Sequence, residues 1–133
     1  MVKYFFFFSC IMVFSLNMAA QATGNTKKPL LSYKERHINL GKVKKGNKVT
    51  FSYTFTNTSK QDVEIDIVTG CDCTEATWPS KKIKPGESGK IDVVFLSAKK
   101  EKSETVELDV ILKNEDPKTG YPIFDILSYS YLF

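Results

Sequence analysis

The chain has 133 residues and a formal net charge of +4, and 26% of its residues are charged. This length is sufficient for one domain with a single two-layer core. The lysines stand in short groups between apolar stretches, which is typical of solvated turns, whereas nucleic-acid-binding proteins usually show a continuous basic face. We therefore expect no nucleic-acid partner.

The N-terminal residues differ in composition from the rest of the chain. Lys3 precedes the apolar run YFFFFSCIMVFSL, and the small residues of NMAAQA follow it. This order is typical of a secretory signal peptide, and the run is shorter than the ~20 residues that a membrane-spanning helix needs. We predict a signal peptide over residues 1–22, cleaved after Ala20 or Ala22. The mature chain is then exported to the periplasm, the cell surface or the medium, with no permanent membrane span.

Alternation of apolar and polar residues dominates the rest of the chain. Residues 23–35 are polar and irregular, which predicts a linker, and the domain is predicted over residues 36–133. The alternation predicts half-buried strands. These strands are expected near residues 36–43, 49–59, 62–68, 91–97, 105–114 and 123–133. Short strands separated by Gly and Pro turns predict an all-β fold, an immunoglobulin-like antiparallel β-sandwich of about seven strands, with a small closed barrel as the alternative.

Two of these strands carry specific expectations. In DVEIDIV the alternation predicts that Ile65 and Ile67 face the core and that Asp66 faces solvent. The final strand is apolar on both faces, with Phe124 and Ile126 in the second register. Two interpretations follow: a central strand whose outer face packs on the N-terminal segment, or a strand that pairs with another envelope protein by edge-strand addition.

Groups that support catalysis are few. His37 is the one histidine, and its place in the first predicted strand indicates a surface or edge position. The sequence contains no phosphate-binding Gly loop, no nucleophile elbow and no zincin helix, and no carboxylate pair is spaced for acid–base chemistry. We therefore predict that the chain is not an enzyme and binds no cofactor.

The segment TGCDCTEATWP contains the two cysteines of the mature chain, Cys71 and Cys73. The Cα atoms of residues i and i+2 of an extended strand lie ~6.6 Å apart, near the outer limit for two cysteines joined by a disulfide. A bridge therefore requires a bent backbone, which Gly70 and Asp72 tolerate. Export would place the pair where disulfides persist.

Three alternatives remain open for these cysteines. They are inert buried thiols packed under Trp78, a disulfide or redox-responsive pair, or half of a metal site. A disulfide would close a tiny loop, stabilise the fold little and be easily reduced. Since His37 is the only imidazole and the mature chain has no further cysteine, no metal site is predicted.

Four motifs occur in a fixed order: LG.V..G at residues 40–46, an aromatic strand ending in NT at 51–58, CDCT...W at 71–78, and PG..G.I.V.F at 85–95. In this combination the chain resembles the bacterial family called domain of unknown function 1573, which is frequent in Bacteroidetes, over about residues 36–113. The resemblance implies an Ig-like sandwich similar to Hydin-type and sperm-protein-type domains, secreted or surface-associated. The motif residues around the cysteines are Gly70, Thr74, Trp78, Pro85 and Gly86.

Asp72 departs from the family pattern, which usually has a small residue between the cysteines. A carboxylate there is expected to raise the pKa of both thiols and lower their reactivity. The sequence therefore predicts an exported, non-catalytic Ig-like interaction or assembly module of the bacterial cell envelope. The alternative is a periplasmic thiol-dependent protein that uses Cys71 and Cys73 for redox chemistry or metal binding.

Overall fold

The structure, a computed structural model, describes residues 28–133. The predicted signal peptide over residues 1–22 lies outside the described residues, as does the first part of the predicted linker. The strands are β1 (Leu31–Tyr33), β2 (His37–Lys42), β3 (Lys48–Asn57), β4 (Ile65–Thr69), β5 (Thr74–Thr77), β6 (Ser88–Leu96), β7 (Glu104–Glu115) and β8 (Pro122–Leu132). A short 3-10 helix spans Ser97–Lys99. Between residues 28 and 133, no helix is long and apolar enough to cross a membrane.

The strands form two four-stranded sheets. Sheet A has the order β1-β3-β6-β5, and sheet B has the order β2-β8-β7-β4. Neighbouring strands are antiparallel except for β2 and β8, which are parallel. The first two strands thus divide between the sheets, and the others follow the strand order of an immunoglobulin sandwich. The predicted all-β sandwich is confirmed, and the closed barrel is not formed.

The core consists of the inward faces of the two sheets. In β3, β6, β7 and β8 every second side chain is buried or partly buried, as the alternation predicts. The buried residues of these strands include Tyr53, Phe55, Ile91, Val93, Phe95, Val106, Leu108, Val110, Leu112, Leu127, Tyr129 and Tyr131. Each large apolar side chain buried in this way contributes about 1.5–3 kcal/mol relative to exposure.

The domain begins before the predicted boundary at residue 36. Leu31 in β1 is 0% exposed, and it lies opposite Asn57 of β3. Residues 31–35 therefore belong to the sandwich and not to the linker predicted over residues 23–35. A strand of three residues is too short to show a period of two, so the sequence alone does not reveal it. The four-residue strand β5 was missed for the same reason.

Strand β4 contains a β-bulge that turns the side chain of Ile67 from the predicted core face to the solvent face. Residues 65–67 lie opposite two residues of β7, so that one residue of β4 is extra. Beyond the bulge the alternation shifts by one position: Val68 is buried, whereas Ile67 is 43% exposed. The expectation that Ile67 faces the core is therefore wrong, because a period of two assumes an unbroken strand.

Strand β8 lies between β2 and β7, but β2 covers only part of it. The pairing with β7 runs from Pro122 to Tyr131, whereas the pairing with β2 begins at Ser128. Residues 122–127 therefore have a neighbouring strand on one side only. A deletion of residues 121–133 could not test whether this edge pairs with another chain, because it would also remove core side chains such as Leu127. Pairing through β8 must be tested by point substitutions.

The side chain of Asn57 organises the turn after β3. It is buried, and its amide nitrogen donates to the carbonyl oxygens of Gln61 and Ile83, both at 2.8 Å. Its amide oxygen accepts hydrogen bonds from the backbone and hydroxyl groups of Ser59. One buried amide therefore satisfies four polar groups, of which the carbonyl of Ile83 is buried.

We expect Asn57→Ala to lower the free energy of unfolding by about 3 kcal/mol, because buried carbonyl and amide groups lose their partners. Thr58→Ala is the matched control, since Thr58 is exposed and its substitution should change stability by less than about 0.5 kcal/mol. Urea unfolding followed by circular dichroism measures both values. Equal effects of the two substitutions would contradict the role assigned to the buried amide.

Candidate functional site

Cys71 and Cys73 lie in the tight turn between β4 and β5. The backbone amide of Thr74 donates to the carbonyl oxygen of Cys71 at 3.1 Å, which places Asp72 and Cys73 at the corners of a β-turn. The Cα atoms of the cysteines are 5.1 Å apart, and their sulfurs are joined in a disulfide. The turn supplies the bend that a bridge requires, and the alternative of two free buried thiols is not what the structure contains.

The two sulfurs have different surroundings. Cys73 is 0% exposed, whereas Cys71 is partly exposed. The hydroxyl of Thr74 lies 3.5 Å from each sulfur, and the hydroxyl of Tyr129 lies 3.7 Å from the sulfur of Cys73. The aromatic residue beside the buried sulfur is thus Tyr129. Trp78, which the sequence analysis placed over the cysteines, is partly buried against the core just after β5.

The ring of Tyr129 is fixed by aromatic neighbours from sheet A. Its centroid lies 5.0 Å from that of Phe51 and 5.3 Å from that of Phe95, within the range of favourable aromatic contacts. Burial raises the pKa of the Tyr129 hydroxyl above its usual value. The hydroxyl therefore stays protonated at neutral pH, and it shares a 2.7 Å hydrogen bond with the hydroxyl of Thr74.

Gly70 is required by packing and not by the bend. A Cβ atom at this position would lie 2.5 Å from Cδ2 of Leu108 and 3.2 Å from the carbonyl oxygen of Glu107. Its φ is outside the left-handed region, where the positive-φ glycines of the described chain lie. The expected turn-forming role of Gly70 is therefore corrected: the absent side chain lets the turn approach β7.

Pro85 and Gly86 lie at the other end of the sandwich. Gly86 has a φ of +82°, and the amide of Glu87 donates to the carbonyl of Lys84, as in a type II turn with Pro in its second position. The amide of Gly86 donates to the carbonyl of Asn57 at 2.8 Å. This turn precedes the first residue of β6, whereas the cysteine turn lies beside its last residue. The motif residues thus form two separate structural sites.

A lysine contacts the cysteine turn from the short helix after β6. The ammonium of Lys99 donates to the carbonyl oxygen of Asp72 at 2.8 Å. The helix is held in place by the buried Ser97, whose hydroxyl contacts the carbonyl oxygens of Lys44 and Asn47. The turn therefore has a positive charge nearby as well as the Asp72 carboxylate, and this charge comes from a residue distant in sequence.

An apolar row crosses the outer face of sheet B. Ile67, Ile111 and Phe124 occupy directly opposite positions on β4, β7 and β8. Phe124 is 61% exposed. A shallow depression of about 340 Å³ lies between Asp109, Ile111, Pro122 and Phe124. The sequence signal for this row was the second apolar register of the last strand, but the bulge that adds Ile67 was not predictable from it.

Beside this row, the backbone of β8 is open. The amide of Ser128 donates to the carbonyl of Arg36, just before β2. Because backbone groups of alternate residues point the same way in a strand, those of Phe124 and Ile126 point to the same side. Among residues 28–133, no strand pairs with β8 there.

Arg36 limits the open stretch. Its guanidinium donates to the carbonyl oxygen of Ile126 at 3.4 Å and forms an ion pair with Asp125 at 3.2 Å. The same guanidinium lies over the ring of Tyr33, 4.8 Å from its centroid, and the Tyr33 hydroxyl also donates to Asp125. These contacts fasten the segment that passes from sheet A to sheet B. They leave the backbone of Phe124 as the open part of the edge.

The described N-terminal segment contacts β8 at residues 28–30, at Tyr33 and at Arg36. Residues 28–30 and residues 123–125 line a depression of about 200 Å³. Phe124 and Ile126 nevertheless remain 61% and 46% exposed. Residues 28–35 therefore do not cover the outer face of β8 as one interpretation of the sequence expected, and residues 1–27 lie outside the described part.

His37 is exposed on the edge strand β2, as predicted. Its ring nitrogens lie 2.8 Å from the hydroxyl of Ser128 and 3.0 Å from that of Ser130. These contacts hold the ring against the sheet. Within residues 28–133, no group of three or more His, Cys, Asp or Glu side chains is placed to hold a metal ion.

Three solved structures share this fold. A Vibrio cholerae VesB protease structure is 19% identical, with a TM-score of 0.62, over 78% of this chain and 32% of the protease. A protein of unknown function from Porphyromonas gingivalis W83 is 15% identical, with a TM-score of 0.63, over 78% of this chain and 46% of its own. The ASH / PapD-like domain of human CEP192 is 11% identical, with a TM-score of 0.61, over 80% of this chain and 88% of its own.

These likenesses show the fold alone. The chain spans about a third of the protease and less than half of the Porphyromonas protein. No protein with a curated description matches the sequence. A family model described as "Protein of unknown function (DUF1573)" matches residues 31–123, from β1 to the start of β8. The chain therefore belongs to the DUF1573 family.

Proposed function

We propose that the chain is a non-catalytic interaction module of the bacterial cell envelope, which binds an extended segment of another exported protein beside residues 122–127. One observation carries the proposal: Phe124 combines an open strand edge with a side chain that is 61% exposed. An extended segment could pair with the backbone of β8 and place an apolar side chain over Phe124 at the same time.

The open backbone favours a strand as the partner. Unpaired amide and carbonyl groups on a sheet edge form hydrogen bonds with an added strand, and these bonds supply affinity that depends little on sequence. The segment would lie in line with β2, which pairs with the second half of β8. The guanidinium of Arg36 already donates to the carbonyl oxygen of Ile126, so the added strand would end before this residue.

The side chains define the chemistry of the partner. The depression beside Phe124 has apolar walls from Ile111 and Pro122 and one carboxylate, that of Asp109. A contiguous exposed apolar surface of this kind is typical of a binding site. We therefore expect the segment to carry alternating apolar residues and a lysine or arginine that approaches Asp109.

The absence of catalysis is part of the proposal. It is supported by His37, whose two ring nitrogens are both occupied by serine hydroxyls on an exposed sheet face. Catalytic groups are usually gathered in a concave site with a base oriented by a third group. Export is supported by the sequence of residues 1–22 and by a disulfide in the domain.

We expect Phe124→Ser to weaken the binding of an extended peptide at least tenfold, because an aromatic side chain at the centre of a small interface dominates its affinity. The peptides would be selected from a random displayed library on the wild-type chain. Affinity is then measured by fluorescence anisotropy. In the wild-type complex, the backbone amide of Phe124 should become protected from hydrogen exchange.

Leu132→Ser is the matched control, because Leu132 is 58% exposed on the same strand but lies where β2 already pairs. The control should bind with wild-type affinity. Two results would overturn the proposal: selected peptides that bind the Phe124 variant equally well, or a wild-type chain that buries Phe124 by self-association in sedimentation experiments.

We expect the full chain, produced in a Gram-negative host, to appear in the periplasm without residues 1–22 or 1–20. Phe7→Lys should block processing, because a charge interrupts the apolar run that the export machinery recognises. Asn25→Asp, outside the run, is the control and should be processed normally. Intact mass of the periplasmic protein gives the answer, and a full-length cytoplasmic product from the wild-type sequence would refute export.

A further inference from the structure

We propose that the Cys71–Cys73 disulfide is a thiol–disulfide exchange site that oxidises thiols, with Cys71 as the sulfur attacked and Cys73 as the leaving group. This inference is independent of peptide binding at Phe124, because the disulfide contacts β8 at Tyr129, near the end of the strand, whereas Phe124 lies near its start. It is carried by the different surroundings of the two sulfurs.

Exposure determines which sulfur can be attacked. A thiolate attacks one sulfur of a disulfide and the other sulfur leaves, so the attacked sulfur must be accessible from solvent. Cys71 is partly exposed, and Cys73 is 0% exposed. An incoming thiolate can therefore reach Cys71, and the departing charge develops on Cys73.

Two hydroxyl groups lie beside the sulfur of Cys73, and because one donates to the other at 2.7 Å, one hydrogen of the pair remains to stabilise that charge. The Thr74 hydroxyl is 3.5 Å from the sulfur of Cys73, and the Tyr129 hydroxyl is 3.7 Å from it. Hydroxyl donors stabilise a thiolate and make it a better leaving group. Burial keeps Tyr129 protonated, so it can donate a hydrogen bond throughout the neutral pH range.

A positive charge contacts the backbone of the cysteine turn. The ammonium of Lys99 contacts the carbonyl oxygen of Asp72, between the two cysteines. Nearby cations favour thiolates, both the incoming one and the one that leaves. This positive charge opposes the rise in thiol pKa expected from the Asp72 carboxylate. Asp72 is exposed to solvent.

The fold does not depend on the disulfide. The cysteines are separated by two positions in sequence, and the entropic stabilisation by a cross-link falls as the closed loop becomes shorter. The turn is also held by backbone hydrogen bonds from Thr74 to Cys71 and from Leu96 to Cys73. The domain should therefore remain folded in both redox states.

The exchange takes place in two steps, in which atoms and electrons balance. A thiolate forms a bond to the sulfur of Cys71, the bond between the cysteines breaks, and its electron pair leaves on Cys73, which then takes a proton from water. A second thiolate attacks the outer sulfur of this mixed disulfide and releases Cys71, which is protonated in turn. Two thiols are oxidised to one disulfide, and the protein disulfide is reduced to two thiols.

The test begins with trapping of the first step. Cys73→Ser leaves Cys71 as an accessible thiol, and we expect it to form a mixed disulfide with oxidised glutathione, visible as a mass increase of the intact folded protein. Cys71→Ser leaves only the buried Cys73, and it should react at least tenfold more slowly. Equal rates for the two variants would overturn the assignment.

The wild-type protein provides a measurement that needs no substitution. Reduced glutathione and a thioredoxin-type protein dithiol are offered separately, free thiols are counted by alkylation and mass, and folding is followed by circular dichroism. Reduction of the folded protein by either reagent supports the proposal, and the faster reagent tells whether the natural reductant is a small thiol or a protein dithiol. A disulfide that resists both reagents, or a fold lost on reduction, would refute it.

We expect Tyr129→Phe to slow reduction by glutathione about fivefold, because the hydroxyl that remains beside the leaving thiolate, that of Thr74, loses the hydrogen-bonded partner that strengthens its donation. Tyr53→Phe is the matched control: it removes another buried hydroxyl, which donates to the carbonyl oxygen of Ser128 and does not contact the sulfurs. Rates are compared at equal folded fraction. If both variants react at the wild-type rate, Tyr129 only packs against the turn and does not assist departure of Cys73.

Discussion

The contact between the ring of Tyr129 and two rings of the opposite sheet determines where the cysteine turn lies. Phe51 on β3 and Phe95 on β6 hold the ring, and its hydroxyl extends to Thr74 and the sulfur of Cys73. Close packing leaves such a side chain few alternative positions. The core therefore positions a polar group at its own boundary.

The other parts of the fold differ in how far the sequence predicted them. Long strands such as β3 and β7 have many alternating positions, and their inward residues follow the prediction. The three residues of β1 have no such pattern, and they are a strand only because β3 offers them a partner and the core accepts Leu31. Two further features also depend on tertiary contacts: the parallel pairing of β2 with β8 and the bulge before Ile67. Neither leaves a signal in the local sequence.

The cysteines show the same division between local and tertiary information. Their spacing predicted that a bridge needs a bend, and a β-turn supplies it. The spacing could not distinguish a bonded pair from buried thiols, because that depends on residues distant in sequence. Tyr129 and Lys99 contact the turn from β8 and from the helix after β6, and neither belongs to the motif around the cysteines. The importance of Gly70 likewise becomes evident only when Leu108 is placed beside it.

The edges of the sheets differ in how they are protected against pairing with another chain. Strand β1 has three residues, β5 has four, and β4 contains the bulge, and all three features discourage pairing with another chain. Along β8 the same protection comes from β2 and from Arg36, but neither reaches Phe124.

Strand β8 thus serves both proposed sites with different residues. Phe124 points outward near its start, and Tyr129 points inward near its end, with the buried Leu127 between them. A change in the cysteine turn would reach Phe124 by moving this packed segment, or through β4 and β7, and the packed core resists both movements. Peptide binding and thiol exchange should therefore be energetically independent, so a variant that loses one activity and keeps the other separates the two sites.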